Sequence, residues 1–291
     1  MKKYTAYDWF ILVVLACIWG SSFILMKRIL HYFSPVEMAL LRIGISGLVL
    51  LPLFLRSVKG KTTQQLGWFF VSGMLGNAVP ALCFALTQTK LNSSVAASLN
   101  ALTPFFALLI GVVVFKNKLS RNSVFGLALG LLGALMLSFF RANGSTELHF
   151  GYAGFAVLAT FCYGLNINLI RAKFQNFDAI TITSLAVGLV GLPCVAATLL
   201  FTPFVHTLQA HPQHWLGVGY AALLGCFGTA FALVLFNGLI KRTNAVFASS
   251  VTYLIPVVAM VIGSMDGERL GLPHFMGILA ILLGIYITTK K

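Results

Sequence analysis

Acidic side chains are nearly absent from this sequence. Six Asp and Glu stand among 291 residues, and charged residues of both signs make up 9%. A soluble domain carries about 25%, so the charged shell of a soluble monomer is missing. The 59% hydrophobic share and mean hydropathy of +0.93 exclude a disordered chain. Other absences narrow the chemistry. There is no GxxxxGKS/T phosphate loop, GxSxG elbow or HExxH pair, which speaks against ATP-driven work, serine hydrolysis and zinc proteolysis. The five cysteines (Cys17, Cys83, Cys162, Cys194, Cys226) are odd in number, lie inside apolar runs and form no CxxC. They point to neither a disulfide framework nor a zinc site. No cofactor is expected.

What is present is long apolar runs. A helix needs about 20 apolar residues to cross a bilayer. Ten runs meet this, near 8–27, 35–55, 67–89, 93–115, 122–140, 151–171, 179–201, 216–240, 244–264 and 271–289. None alternates as a barrel strand would. The expected fold is therefore all-α and integral to the membrane, with ten spans and short loops. Lys2 and Lys3 before the first run resemble a signal peptide, but no small-residue cleavage site follows Trp19-Gly20. The first run is read as a retained span.

Basic residues exceed acidic ones by 20 to 6. They are scattered between spans and form no stripe, which speaks against a nucleic-acid partner. With the N-terminus inside, fourteen fall at inner positions (Lys2, Lys3, Arg56, Lys59, Lys61, Lys116, Lys118, Arg121, Arg171, Lys173, Lys241, Arg242, Lys290 and Lys291). Five fall outside: Lys27, Arg28, Lys90, Arg141 and Arg269. The bias places both termini in the cytoplasm.

The sequence also repeats itself. Trp19-Gly20 falls on Tyr163-Gly164, and Lys27 on Arg171, at a shift of 144. Asn92, Ala96, Ser98 and Pro104 fall on Asn244, Ala248, Ser250 and Pro256 at a shift of 152. Leu119, Gly126 and Gly133 fall on Leu270, Gly277 and Gly284 at 151. Two halves of five spans follow, 1–145 and 146–291. Five is odd, so the second half enters the membrane upside down. Inverted repeats of this kind are typical of secondary transporters, with the site near the midplane between halves.

These residues resemble a known family. Trp19-Gly20-Ser21-Ser22-Phe23 with Lys27 is similar to the first-helix pattern of the EamA group of the drug/metabolite transporter superfamily. Ser34-Pro35 through Leu41-Arg42 resembles its second helix, Asn92–Pro104 its fourth, and Glu268-Arg269-Leu270 with Gly277 and Gly284 its last. Two positions depart from the pattern: Asn117 stands where the first-half Glu belongs, and Tyr163 replaces Trp. The resemblance implies ten helices, with helices one to four and six to nine around a cavity. It also implies export or exchange of small metabolites across the cell's inner (plasma) membrane, without fixing the substrate.

Several residues are candidates for the pathway. Arg42 lies about seven residues into span two, where a charge costs about 2.5–3.5 kcal/mol on insertion scales. It is either a counter-charge for a substrate anion or a structural arginine held by helix-end carbonyls or Glu37. Lys27 is either at the outer mouth of the cavity or snorkelling to water. Glu37, near Pro35, is either a proton-coupling carboxylate or a static partner of Arg42 or Lys27. Trp19 and Tyr163 offer aromatic faces, or simply pack beside Gly20 and Gly164. Asn77, Asn100, Asn166 and Thr252, with Tyr253 adjacent, either line a polar site or bond helix to helix. Gly126-x-x-x-Gly130 offers either intramolecular packing or a homodimer seam through helices five or ten. His206, His211 and His214 share one loop without an acidic neighbour, a weak metal signal.

Together these features predict a carrier of small metabolites such as amino acids, working by alternating access around a midplane cavity. An integral-membrane enzyme acting on a lipid-linked substrate is the first alternative, and a passive channel the second. The partners expected are a small-molecule substrate and the bilayer.

Overall fold

The computed structural model describes residues 4–91, 93–116, 120–139, 150–265 and 272–289. Among these, the chain is helical throughout. Helices α1 (Ala6–Ile29), α2 (Pro35–Val49), α3 (Leu51–Ser57), α4 (Thr63–Gly73), α5 (Val79–Gln88), α6 (Ser93–Leu99), α7 (Thr103–Val113) and α8 (Arg121–Phe139) form the first half. Helices α9 (Phe150–Lys173), α10 (Ala179–Phe201), α11 (Phe204–Ala210), α12 (His214–Gly225), α13 (Ala232–Arg242), α14 (Ala245–Ser249), α15 (Val251–Met265) and α16 (Leu272–Thr289) form the second. One π-helical turn, Met74–Ala78, joins α4 to α5; a second, Cys226–Phe231, joins α12 to α13.

Helix therefore covers each of the ten ranges expected. Six stretches are long and apolar enough to cross a membrane by length and composition among the described residues. A seventh span results if α2 and α3, bent by 63°, count as one. The bend has a cause: Pro52, in the first turn of α3, lacks an amide hydrogen to bond back into α2. Stretches at the α15 and α16 positions are apolar but shorter, Ala245–Val258 and Phe275–Ile287.

Helix ends are capped by their own sequence. Thr5 with Asp8 and Ser34 with Glu37 form capping boxes at α1 and α2. Asp178, 144 residues after Ser34, caps α10 through the Thr181 amide at 2.6 Å. Large apolar side chains such as Leu200, Phe201 and Phe227 point outward, whereas Asn77, Asn100, Asn168, Thr183 and Asn237 are buried. This reverses the arrangement of a water-soluble protein and fits a lipid solvent.

Close helix contacts follow the repeat. A Cβ on Gly20 of α1 would fall 2.7 Å from Val258 of α15; on Gly164 of α9 it would fall 2.8 Å from the backbone of Phe106 in α7. Gly20 and Gly164 differ by 144, Phe106 and Val258 by 152, the two shifts read in the sequence. The α2–α10 contact joins Gly47 to Gly191, again 144 apart, where an added Cβ would meet backbone at 2.9 and 2.8 Å. The Gly126-x-x-x-Gly130 seam is filled within the chain: a Cβ on Gly284 of α16 would lie 2.6 Å from the Gly126 carbonyl oxygen. Of the two readings of this glycine seam, the contact with α16 fits intramolecular packing. Asn92, Asn117-Lys118-Leu119 and Glu268-Arg269-Leu270 lie outside the described residues.

Candidate functional site

A cavity, open to solvent, lies between the halves. Its wall is built from the same positions in each. From α1 and α9 come Trp19 and Tyr163, Ser22 and Asn166, Phe23 and Ile167, Met26 and Ile170, each pair 144 apart. Helices α2 and α10 give Arg42 with Ala186 and Ile43 with Val187 at the same shift. The segments around the π turns give Gly76 with Gly228, Asn77 with Thr229 and Phe84 with Phe236; Asn100 pairs with Thr252, all 152 apart.

The pairs match in position but not in chemistry, and Arg42 against Ala186 is the sharpest difference. Arg42 is the only formally charged side chain on the described wall. Its Nε donates to Thr229 Oγ1 at 2.8 Å, and its Nη1 approaches Met26 Sδ at 3.7 Å. Thr229 is a member of the second π turn, and its hydroxyl also reaches the Leu224 carbonyl five residues back, at 3.4 Å. The π turn thus aims Thr229 at Arg42. A guanidinium has five N–H donors, and no described carboxylate engages those of Arg42. The Glu37 partner that the sequence allowed is not used.

Polar groups around Arg42 differ in what they leave free. Ser72 donates to Asn166 Oδ1 at 2.6 Å, and Thr103 donates to Asn100 Oδ1 at 3.2 Å. Asn237 donates to Thr183 Oγ1 at 2.9 Å, and Thr252 donates to the Ser249 carbonyl at 2.9 Å. Trp19 Nε1 donates to the Gly228 carbonyl at 3.0 Å, which fixes its ring on the wall. The Tyr163 ring lies near-parallel to Phe84 at 6.3 Å. The Asn77 amide makes no hydrogen bond among the described residues and faces the cavity.

Seven of the ten residues singled out in the sequence line this cavity: Trp19, Arg42, Asn77, Asn100, Tyr163, Asn166 and Thr252. Three do not. Lys27 is exposed at the end of α1. Glu37 is buried at the start of α2, where Oε2 accepts from the Ser34 amide at 2.9 Å and the Ser34 hydroxyl at 2.8 Å; Oε1 has no partner. Tyr253 turns away, donating to the Leu127 carbonyl at 3.0 Å and packing against Gly130. Asn168 binds helices together, donating to the carbonyls of Ala107 and Gly164. Sequence reasoning passed over Ser22, Ser72 and Thr183. The repeat itself would have found Ser22, since adding 144 gives Asn166. No cluster of three metal-ligating side chains occurs among the described residues, His206, His211 and His214 included.

The α1 start and the α13–α14 junction are latched together. Arg242 Nε donates to Asp8 Oδ1 at 3.0 Å, and the Tyr4 ring stacks on Phe247 at 4.1 Å. Asn244 donates to the Tyr4 hydroxyl at 2.5 Å, and burial pushes that hydroxyl's pKa above the usual tyrosine value. Arg171 Nη1 donates to the Thr243 carbonyl at 2.8 Å.

The model of the EamA-like transporter family matches residues 8–139 and 151–290, once in each half. An uncharacterized transporter of Archaeoglobus fulgidus is 24% identical over all of both chains. A probable amino-acid metabolite efflux pump of Salmonella typhimurium is 23% identical over 96% of this chain and 94% of its own. The uncharacterized inner membrane transporter YedA of Escherichia coli K12 is 26% identical over 96% of this chain and 89% of its own. A solved crystal structure shares the fold with a TM-score of 0.72 at 17% identity, covering 98% of this chain and 96% of that one.

Proposed function

The chain belongs to the EamA-like transporter family, and on that premise we propose that it is a secondary transporter of small carboxylate-bearing metabolites, such as amino acids. Its ten helical segments act as ten spans in two inverted repeats of five. It sits in the inner membrane with both termini cytoplasmic, and the two halves rock about the cavity to expose it to each side in turn. The observation that carries this reading is a cavity walled by repeat-related pairs and bearing one cation, Arg42. The charge suits a carboxylate; the flanking Trp19, Phe84, Tyr163 and Phe236 suit an apolar body. The relative named as a probable amino-acid metabolite efflux pump supports an amino-acid-like cargo and outward transport.

The test is counterflow in proteoliposomes with pooled labelled amino acids, nucleosides and sugars. We expect one class to be trans-stimulated, and Arg42→Ala to lower its flux by about 100-fold, the equivalent of one lost charge-assisted contact. Absence of flux for every class, with the protein still folded, rejects the carrier reading.

A further inference from the structure

We infer that the cavity takes net monoanionic carboxylates rather than zwitterions, and that this chain is an obligatory one-for-one exchanger of them. This rests on the transporter reading above and narrows it.

The argument is one of charge balance. Arg42 is the only formal charge on the described wall, and no described carboxylate pairs with it. Its one strong contact is to a neutral hydroxyl, Thr229 Oγ1 at 2.8 Å. Glu37 sits on the same helix, but its Oε2 is committed to the Ser34 cap, and neither Oε2 nor the unpartnered Oε1 forms an ion pair with Arg42. Asp8 is tied to Arg242 at the far end of α1. The empty cavity therefore carries one uncompensated positive charge.

Two consequences follow. The first concerns the cargo. A carboxylate beside Arg42 brings the site to neutrality. An ammonium on the same molecule adds a positive charge and meets only neutral acceptors and aromatic faces. Two of the nearby amide oxygens are already used, Asn166 Oδ1 by Ser72 and Asn100 Oδ1 by Thr103. A net monoanion is thus favoured over the zwitterion of the same shape.

The second concerns the cycle. Between its two open states a carrier must close the cavity to water on both sides. Closing over a bare guanidinium removes its hydration and offers no partner in return, whereas closing over the ion pair does not leave an isolated charge. On insertion scales, a lone arginine at membrane depth carries a penalty equal to about a 100-fold slowing. The empty carrier then reorients too slowly to complete a net transport cycle, and each outward monoanion must be replaced by an inward one.

Phenylpyruvate and phenylalanine test both points, because they share a body and differ in the ammonium. Proteoliposomes holding the full chain are preloaded with unlabelled phenylpyruvate or left empty, and uptake of each labelled probe is followed. Phenylpyruvate uptake should be about 100-fold faster into preloaded vesicles, unchanged by a valinomycin-imposed potential, and at least about tenfold faster than phenylalanine uptake. In detergent, phenylpyruvate should raise the melting temperature of wild type but not of Arg42→Gln, which keeps a side chain able to bond Thr229. Equal uptake into empty vesicles overturns obligatory exchange. Phenylalanine moving as fast as phenylpyruvate overturns the charge selection, as does wild-type exchange by Arg42→Gln. If amino acids, nucleosides or sugars show counterflow while phenylpyruvate neither moves nor binds, the carrier reading stands and this inference falls. If nothing moves and nothing binds to a folded protein, both fall.

Discussion

At the scale of single residues, the site turns on how Arg42 is held. Thr229 supplies its only strong hydrogen bond among the described residues. Thr229→Val keeps the shape and removes the acceptor. Leaving one buried donor unpaired costs about 1–3 kcal/mol, so the half-saturation concentration for transport should rise at least about fivefold, with Thr229→Ser restoring it. A loss that Thr229→Ser does not rescue would mean that Thr229 acts through packing alone. Glu37 illustrates what one sequence can and cannot say. Its place two residues after Pro35 was legible, and so was its nearness to Arg42 along the chain. Its commitment to Ser34 went unread, although the spacing Ser-x-x-Glu before an apolar run is the signature of a helix start. Glu37→Ala should therefore lower thermal stability by about 1 kcal/mol, the size of a cap contribution, whereas Glu37→Gln, which can cap as Gln65 does at α4, should cost less. Tyr253 was adjacent to a lining residue, but one helical step of about 100° turned it onto Gly130.

At the scale of elements, stability rests on backbone approaching backbone. The α2–α10 contact at Gly47 and Gly191 leaves no room for a methyl group, since the nearest atoms are main chain and not movable side chain. Gly191→Ala should lower the melting temperature in detergent by the equivalent of about 1–3 kcal/mol. Gly219→Ala, where nothing lies within 4 Å, should be neutral. A neutral Gly191→Ala would show that the helices separate without penalty. The latch between α1 and α13 is a weaker device. Arg242 is about half exposed, so its pair with Asp8 contributes about 0–1 kcal/mol, and Arg242→Gln should shift stability by no more than that. The two π turns were not legible in the residues. An i→i−5 bond shift leaves the apolar pattern of the surrounding helix intact, so nothing in periodicity marks it. The bend at Pro52, by contrast, has a residue that announces it.

At the scale of the whole molecule, the repeat is what made the fold readable. Apolar run length located helix in all ten ranges, while the shifts of 144 and 152 predicted pairings that reappear as packed glycines and as opposite walls of one cavity. Which polar groups face that cavity was only partly legible, because periodicity fixes a helix face and not its neighbour. The upside-down entry of the second half has a direct test. With the native cysteines replaced, Lys27→Cys and Arg171→Cys should react with membrane-impermeant maleimide from opposite sides of the cell membrane, Lys27→Cys from outside. Labelling of both from one side would refute the inversion. Finally, the pairing of the wall has a consequence for sidedness. Two halves that trade conformations would offer identical binding sites to either face if every wall residue had its double. Arg42 has alanine as its double. The affinity measured from one face must then differ from that measured from the other. Such a carrier still obeys its gradients and, driven by them alone, must run equally fast from either face at scarce cargo, so its asymmetry shows only as saturation at different cargo concentrations on the two sides of the membrane.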